Sequence, residues 1–176
     1  MTVQPTDRHF TASMVVLDPV LDRLLLVWHK HYHCYVFPGG HVEPNEFPDQ
    51  SALREIAEET GVRATIAAQG EFTPTPLMPQ MSRIATPWMA FSIPAPAKPE
   101  RPGKPAEPAH THIDLLYIGL ADSRQPLTYP PDEVENAIWA PVEQLPELAT
   151  RAEVAELAWR ARQLLNNEPW AYQRYQ

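Results

Sequence analysis

The chain of 176 residues has one cysteine, Cys34, so it can form no internal disulfide. Cysteine this scarce fits a reducing compartment, and a cytoplasmic protein is expected. Positive charge is also scarce: 14 Lys and Arg face 22 Asp and Glu, for a formal net charge of −8. A protein that grips a nucleic-acid backbone needs a basic stripe to neutralise phosphates, and none is present, so nucleic acid is not an expected partner. No apolar run nears the roughly 18 residues that cross a bilayer, which argues against a membrane partner. The first thirty residues lack the basic start, apolar run and small-residue cleavage site of a secretory leader. There is no internal repeat. An acidic chain can still bind a polyphosphate if cations bridge the two like charges; taken alone, the charge serves solubility.

What is present suffices for one domain over residues 1–176, since 44% of the chain is hydrophobic. Strands are expected at His9–Leu17 and Asp22–Trp28, joined by turn residues around Asp18-Pro19. A short third strand is expected at Tyr32–Phe37, ended by the Pro38-Gly39-Gly40 break. The pattern predicts a helix over Pro48–Thr60, with proline in its first turn, Gly61 just past its end, and Ala52, Leu53, Ile56 and Ala57 on its apolar face. Further strands are expected at Arg63–Phe72, Ile84–Ile93 and Thr111–Leu120, and a last helix at Ala152–Asn166. The prolines at 94, 96, 99, 102, 105 and 108 predict an extended surface insertion at about 94–109, neither sheet nor helix and most simply a spacer. This order implies an α/β fold, a mixed sheet with a helix on either face.

The chemistry concentrates between Gly40 and Val62. Gly40 is followed after five residues by Glu46, and after seven more by Arg54-Glu55-Ile56-Ala57-Glu58-Glu59-Thr60-Gly61-Val62. On a helix Glu55 lies three and four residues from Glu58 and Glu59, so the three carboxylates share or adjoin one face. Glu58 and Glu59 also occupy the last turn, where the helix dipole disfavours negative charge. Such crowding is costly unless cations sit there, and carboxylate oxygens are the ligands hard divalent ions prefer. A lone pair of glutamates would be an ordinary acidic face; the whole spaced pattern is more than that. Gly39-Gly40 lets the backbone approach ions or phosphate, and Arg54 is placed to pair with Glu46 and clamp the loop to the helix.

The segment Gly40–Val62, led by Phe37-Pro38-Gly39-Gly40, resembles the Nudix box at every defined position. The resemblance implies an α/β/α sandwich whose box forms a loop–helix–loop. It also implies magnesium-dependent hydrolysis, manganese being an alternative ion, of a nucleoside diphosphate linked to another group. By the same resemblance Glu55, Glu58, Glu59 and the carbonyl of Gly40 correspond to metal ligands, and Glu46 and Arg54 hold the loop. One further acidic residue from a later loop is implied as ligand or base: Glu133, with Asp132 and Glu135 as rivals. The catalytic set is then Arg54, Glu55, Glu58 and Glu133, with the general base open between Glu55 and Glu133. Phe47 departs from the family by standing where a helix-capping residue is usual, and Asn45 stands where glycine is common. His9-Phe10-Thr11-Ala12-Ser13, His41-Val42-Glu43-Pro44 and His110-Thr111-His112-Ile113-Asp114 resemble a subgroup of the same family.

His110, His112 and Asp114 alternate along a strand and therefore project from one face. They are candidates for substrate contacts or a second metal site, against the plainer reading of a polar strand end. His29, His31 and His33 read first as a solvated turn. Tyr32, Tyr35, Trp88 and Trp139 are candidates for base stacking, although buried aromatics more often belong to a core. The expected partner is a small nucleotide or diphosphate substrate, and a homodimer is left open. Two other functions stand beside it: a Nudix-fold module that senses a nucleotide without cutting it, against which all the box glutamates stand, and an isoprenoid-diphosphate isomerase, which would need a well-placed catalytic cysteine and glutamate, with Cys34, before the box, the one cysteine.

Overall fold

The computed structural model describes residues 7–67, 82–100, 105–131 and 134–167. Its axis is strand β1 (Arg8–Asp18), buried almost without interruption from Thr11 to Asp18, as a strand covered on both faces must be. Asp18 builds the turn that follows, accepting the backbone N–H groups of Val20 and Leu21 at 2.9 and 3.0 Å and that of Ser123 at 2.8 Å. The chain returns antiparallel as β2 (Arg23–His29), which pairs with β3 (Cys34–Val36). A short β4 (Gly39–His41) then lies against the first half of β1, before helix α1 (Pro48–Thr60).

Beyond α1 come β5 (Thr65–Ile66), β6 (Met89–Ala95), β7 (His110–Leu120) and β8 (Ala137–Pro141), then a 3₁₀ turn at Val142–Glu147 and helix α2 (Ala152–Asn167). The long β7 runs parallel to β1, from Arg8↔Thr111 to Leu17↔Leu120. One mixed sheet results, in the order β3-β2-β1-β7-β5, with β4 on β1, β6 on β7 and β8 on β2.

Alternation along β1 sorts the core into two layers. Ala12, Met14 and Val16 pack with Ala52, Ile56 and Val62 on the α1 side. Val15 and Leu17 pack with Val154, Ala158, Ala161 and Leu165 on the α2 side. The mixed sheet between two helices is the expected α/β sandwich. On the α2 side the strand face changes character along its length: its second half is apolar, whereas the first half carries His9, Thr11, Ser13, His110, His112 and Asp114. Two hydroxyls, one buried and one partly buried, answer the buried acid there, Thr11 Oγ1 and Ser13 Oγ donating to Asp114 Oδ1 at 2.7 and 2.8 Å.

Helix α1 has the bounds that the sequence predicts, and α2 runs one residue further. Phe47 offers no capping oxygen, and the Gln50 side chain instead accepts the Phe47 N–H at 2.9 Å. Several expectations need correction. Gly39-Gly40 is not simply a break: both residues belong to β4, where their lack of side chains lets the backbone lie against Ala12 and Ser13. The strand expected at Arg63–Phe72 is limited to Thr65–Ile66 among the described residues, and its end from residue 68 lies outside them. The strand expected at Ile84–Ile93 begins at Met89 and continues through Pro94 to Ala95. Proline is tolerated because, among the described residues, β6 pairs with β7 alone, which leaves its other edge without ladder bonds to lose. The proline-rich stretch is therefore no mere spacer: Lys98 and Glu107 exchange backbone hydrogen bonds of 2.8 and 2.9 Å, extending β6 and β7 as a hairpin arm. Strand β8 was not expected, being short and without clear alternation.

Gly61 ends α1 with φ +73°, its N–H bonded to the Ala57 carbonyl at 2.9 Å, and a Cβ there would overlap the Thr128 hydroxyl. Gly61→Ala is expected to destabilise the fold by about 1–2 kcal/mol through backbone strain and this overlap, measured as a lower urea midpoint.

Candidate active site

Arg54, in the middle of α1, organises the box. Its Nε and Nη2 grip Glu46 bidentately, at 3.0 Å to Oε2 and 2.7 Å to Oε1. Its Nη1 reaches Glu55 Oε1 at 2.9 Å and Glu58 Oε2 at 2.8 Å, and Nη2 also donates to the His41 carbonyl at 3.0 Å. Ser51 Oγ donates to the same carbonyl at 3.1 Å, and Glu46 Oε1 accepts the Glu43 N–H at 2.9 Å. The loop after β4 is thus fastened to the helix at both ends. The hydrogen bonds from Arg54 hold the Glu46 carboxyl at about 2, well below its usual 4.5, and Glu46 in turn raises the guanidinium above its ordinary value.

The three box glutamates occupy different surroundings. Glu59 Oε2 accepts the Gly39 N–H at 2.9 Å, binding the helix end to β4. Glu55 lies against Gly40 so closely that any Cβ at that position would overlap its carboxyl group. Burial pushes the Glu55 carboxyl up, outweighing the opposing pull of Arg54. Glu58 is exposed, and no basic residue stands in the last turn of α1. Carboxylates at the negative end of a helix, beside a glycine backbone with room for nothing larger, suit a hard divalent cation. Glu55, Glu58, Glu59 and the Gly40 carbonyl are the groups that would hold it, once Arg54 Nη1 yields the oxygens it bridges while its other edge stays on Glu46.

Beside the box lies a groove of about 570 Å³ lined by His9, Phe10, His41, Val42, Glu43, Pro48 and Leu115. Its walls are mainly apolar, with the box loop along one side. Glu133 and Asp132 lie outside the described residues, and Glu135 is exposed. His110, His112 and Asp114 do share one strand face, but not a common partner. Asp114 is 6% exposed and turned to its two hydroxyls, and burial raises its carboxyl. The two histidines join another group instead. Nε2 of His110 and Nε2 of His112 lie 2.8 Å apart, and the His9 and His41 rings lie within 6.0 Å of the His110 ring. His9, His41 and Glu107 were not singled out as site residues in the sequence, because strand pairing and the hairpin arm, not local spacing, bring them together.

Of the aromatic candidates, Tyr32 stacks on His29 at 4.2 Å with Arg151 5.4 Å from its ring centroid, and the Tyr35 hydroxyl accepts from Asn136 Nδ2 at 2.7 Å. Trp88 packs against the α2-side core. The buried Trp139 indole N–H has no acceptor among the described residues. Cys34 is buried, and burial raises its thiol, which keeps it protonated and unsuited to nucleophilic work.

A mixed sheet between two helices, with an acidic loop–helix against one face, defines an α/β sandwich built around this loop. The chain belongs to the NUDIX domain family, whose family model matches residues 7–163. It is similar to the ADP-sugar pyrophosphatase of Mus musculus, 33% identical over an alignment of 94 residues that covers 47% of this chain and 42% of that protein. The chain spans about two fifths of the length of the curated relatives it matches. Among solved structures it resembles a NUDIX-family hydrolase from Clostridium perfringens, with a TM-score of 0.67 and 24% identity over 90% of this chain and 99% of that one. It also resembles the Ap4A hydrolase of C. elegans, with a TM-score of 0.58 and 19% identity over 90% and 98%. At these identities the structures speak for the fold. No helix among the described residues is long and apolar enough to cross a membrane.

Glu46 is held as the anion, so its contribution to stability is complete above about pH 4.5 and is lost as pH falls toward about 2. Glu46→Gln is expected to cost about 2 kcal/mol at pH 7, because it leaves Arg54 half-paired. Urea midpoints of the two proteins should converge as the pH is lowered through that window.

Proposed function

We propose that the chain hydrolyses a phosphoric anhydride bond in a nucleoside diphosphate linked to a second group. The observation that carries this reading is the network in which Arg54 holds Glu46, Glu55 and Glu58 around the Gly40 backbone. A hard divalent cation, magnesium or manganese, when bound there would acidify a water and screen the phosphate charge. The residues of the chain do the rest. Arg54 and Glu46 fix the loop, so that the Gly40 carbonyl and the glutamates keep one geometry. Glu55 is the general base of this reading, since its carboxyl lies against the Gly40 backbone at the centre of the box. The water oxygen bonds to one phosphorus, the bridging oxygen departs with the other, and the water's proton passes to Glu55. Phe10, Val42, Pro48 and Leu115 give the adjoining groove an apolar wall for the nucleoside portion, and its volume of about 570 Å³ is that of a small-molecule site. Glu133 remains the rival base, and of the strand set His110, His112 and Asp114 the partly exposed His112 is the candidate for substrate contact at the polar end of the sheet. On this reading the protein works as one domain in the cytoplasm, without nucleic acid or membrane.

A phosphate-release screen over nucleoside triphosphates, ADP-ribose, dinucleoside polyphosphates and coenzyme A, with and without magnesium, tests the proposal. Hydrolysis of at least one compound is expected with magnesium and none with a chelator; full activity in the chelator would remove the metal-dependent reading. Glu58→Gln and Glu59→Gln should each lower turnover at least about a hundredfold while circular dichroism stays unchanged. Full activity in both variants would overturn the assignment.

A further inference from the structure

The histidines around the start of β1 form a second constellation, built from different parts of the chain. Parallel pairing sets His9 against His112 and beside His110, while β4 pairing sets His41 against Thr11. The hairpin arm adds Glu107. One donor atom from each of His9, His41, Glu107 and His110 lies within 4.8 Å of all the others. His110 is fully buried and Glu107 is half-buried, whereas His9 and His41 reach solvent at the groove.

Imidazoles crowd together favourably only when neutral. Burial, reinforced by neighbouring imidazoles, lowers the pKa of His41, and that of His112 falls to about 4. The orientation of the donors is fixed from outside the cluster. The Pro108 carbonyl stands 2.9 Å from His110 Nδ1, and a carbonyl only accepts, so Nδ1 carries a proton and Nε2 is the ring nitrogen turned inward, the one that offers a lone pair in the neutral ring. Lys98 Nζ takes Glu107 Oε2 at 2.9 Å, leaving Oε1 directed at His110 at 3.4 Å. The His41 backbone is pinned through its carbonyl by Arg54 and Ser51. Backbone-oriented imidazole and ion-paired carboxylate are the outer partners that metal ligands need.

We propose that His9, His41, Glu107 and His110 bind one borderline divalent transition-metal ion of the zinc type. Three imidazole nitrogens and one carboxylate oxygen make a tetrahedral zinc set, whereas magnesium prefers oxygen throughout. Bonds of about 2.0–2.1 Å put tetrahedral ligands roughly 3.4 Å apart, so donors that now lie within 4.8 Å of one another must close by up to about 1.4 Å. The partly exposed His9 and His41 have the freedom to do this. Metal takes the inward lone pair of His110 and displaces the hydrogen bond from His112. A four-ligand set is of the closed, structural kind: it ties β1, β4, the hairpin arm and β7 together beside the groove, with a donor set separate from the glutamates of α1.

Zinc binding to the full chain, after chelator treatment and dialysis, is the test, read by calorimetry and by competition with a chromogenic chelator. One zinc per chain is expected, with a Kd at or below about 1 μM and a higher melting temperature. Cobalt should give the strong visible bands of a four-coordinate site, undiminished by excess magnesium. Glu107→Gln and His9→Ala should each weaken zinc binding at least about tenfold with unchanged circular dichroism, the half-exposed His9 guarding against loss of fold in the other variant. His31→Ala/His33→Ala and Glu58→Gln should bind zinc as the parent does. Absence of stoichiometric zinc, or binding that survives Glu107→Gln and His9→Ala but disappears in either control, would overturn the site.

Discussion

The fork of Arg54 on Glu46 is the constraint from which the box takes its shape. A guanidinium presents its donors in a fixed plane, so a bidentate grip sets both the distance and the angle between helix and loop. Because the same side chain also reaches Glu55, Glu58 and the His41 carbonyl, four parts of the box move as one. The arrangement holds mutually repelling carboxylates together before any cation arrives. It also explains why Glu46, remote in sequence from the other acids, belongs with them.

The helix is anchored to the sheet by contacts of another kind. Gly39 and Gly40 bring bare backbone against Ala12, Ser13 and the Glu55 carboxyl, and Glu59 closes the join by accepting the Gly39 N–H. Side-chain volume is excluded there for steric reasons that hold whatever the chemistry. The result places the loop between β4 and α1 along one side of an apolar groove at the start of the helix.

How much of this was legible in the sequence follows from the range of the interactions. The helices were readable because their signals are local: Pro48 and Gly61 bound α1, and apolar spacing marks both faces. Strands β1, β2 and β7 are long and apolar enough to announce themselves. Strand β8 and the pairing of β4 were not readable, since both exist only through partners distant in sequence. Arg54 and Glu46 could be matched because helix geometry and loop length put them in reach. His9 and His41 could not be joined to His110, because they meet it only through the register of β1 with β7 and of β4 with β1, and Glu107, close to His110 in sequence, stands in a proline-rich stretch that gives no sign of which side chain turns inward. The hairpin arm was misread for a related reason: its prolines suggest a solvated strand, while the cross-links between Lys98 and Glu107 arise from pairing that proline content does not encode.

The parallel union of β1 with β7 also bears on how the molecule comes into being. The hydrogen bond between Thr11 and Asp114 closes a span of 103 positions, so the middle of the sheet cannot assemble until that whole length has been made. A growing chain on the ribosome therefore carries β1 with one flank unsatisfied until β7 emerges, and contacts of such long range make for slow folding. In that interval the apolar run from Met14 to Leu17 lacks the neighbour that later covers its flank.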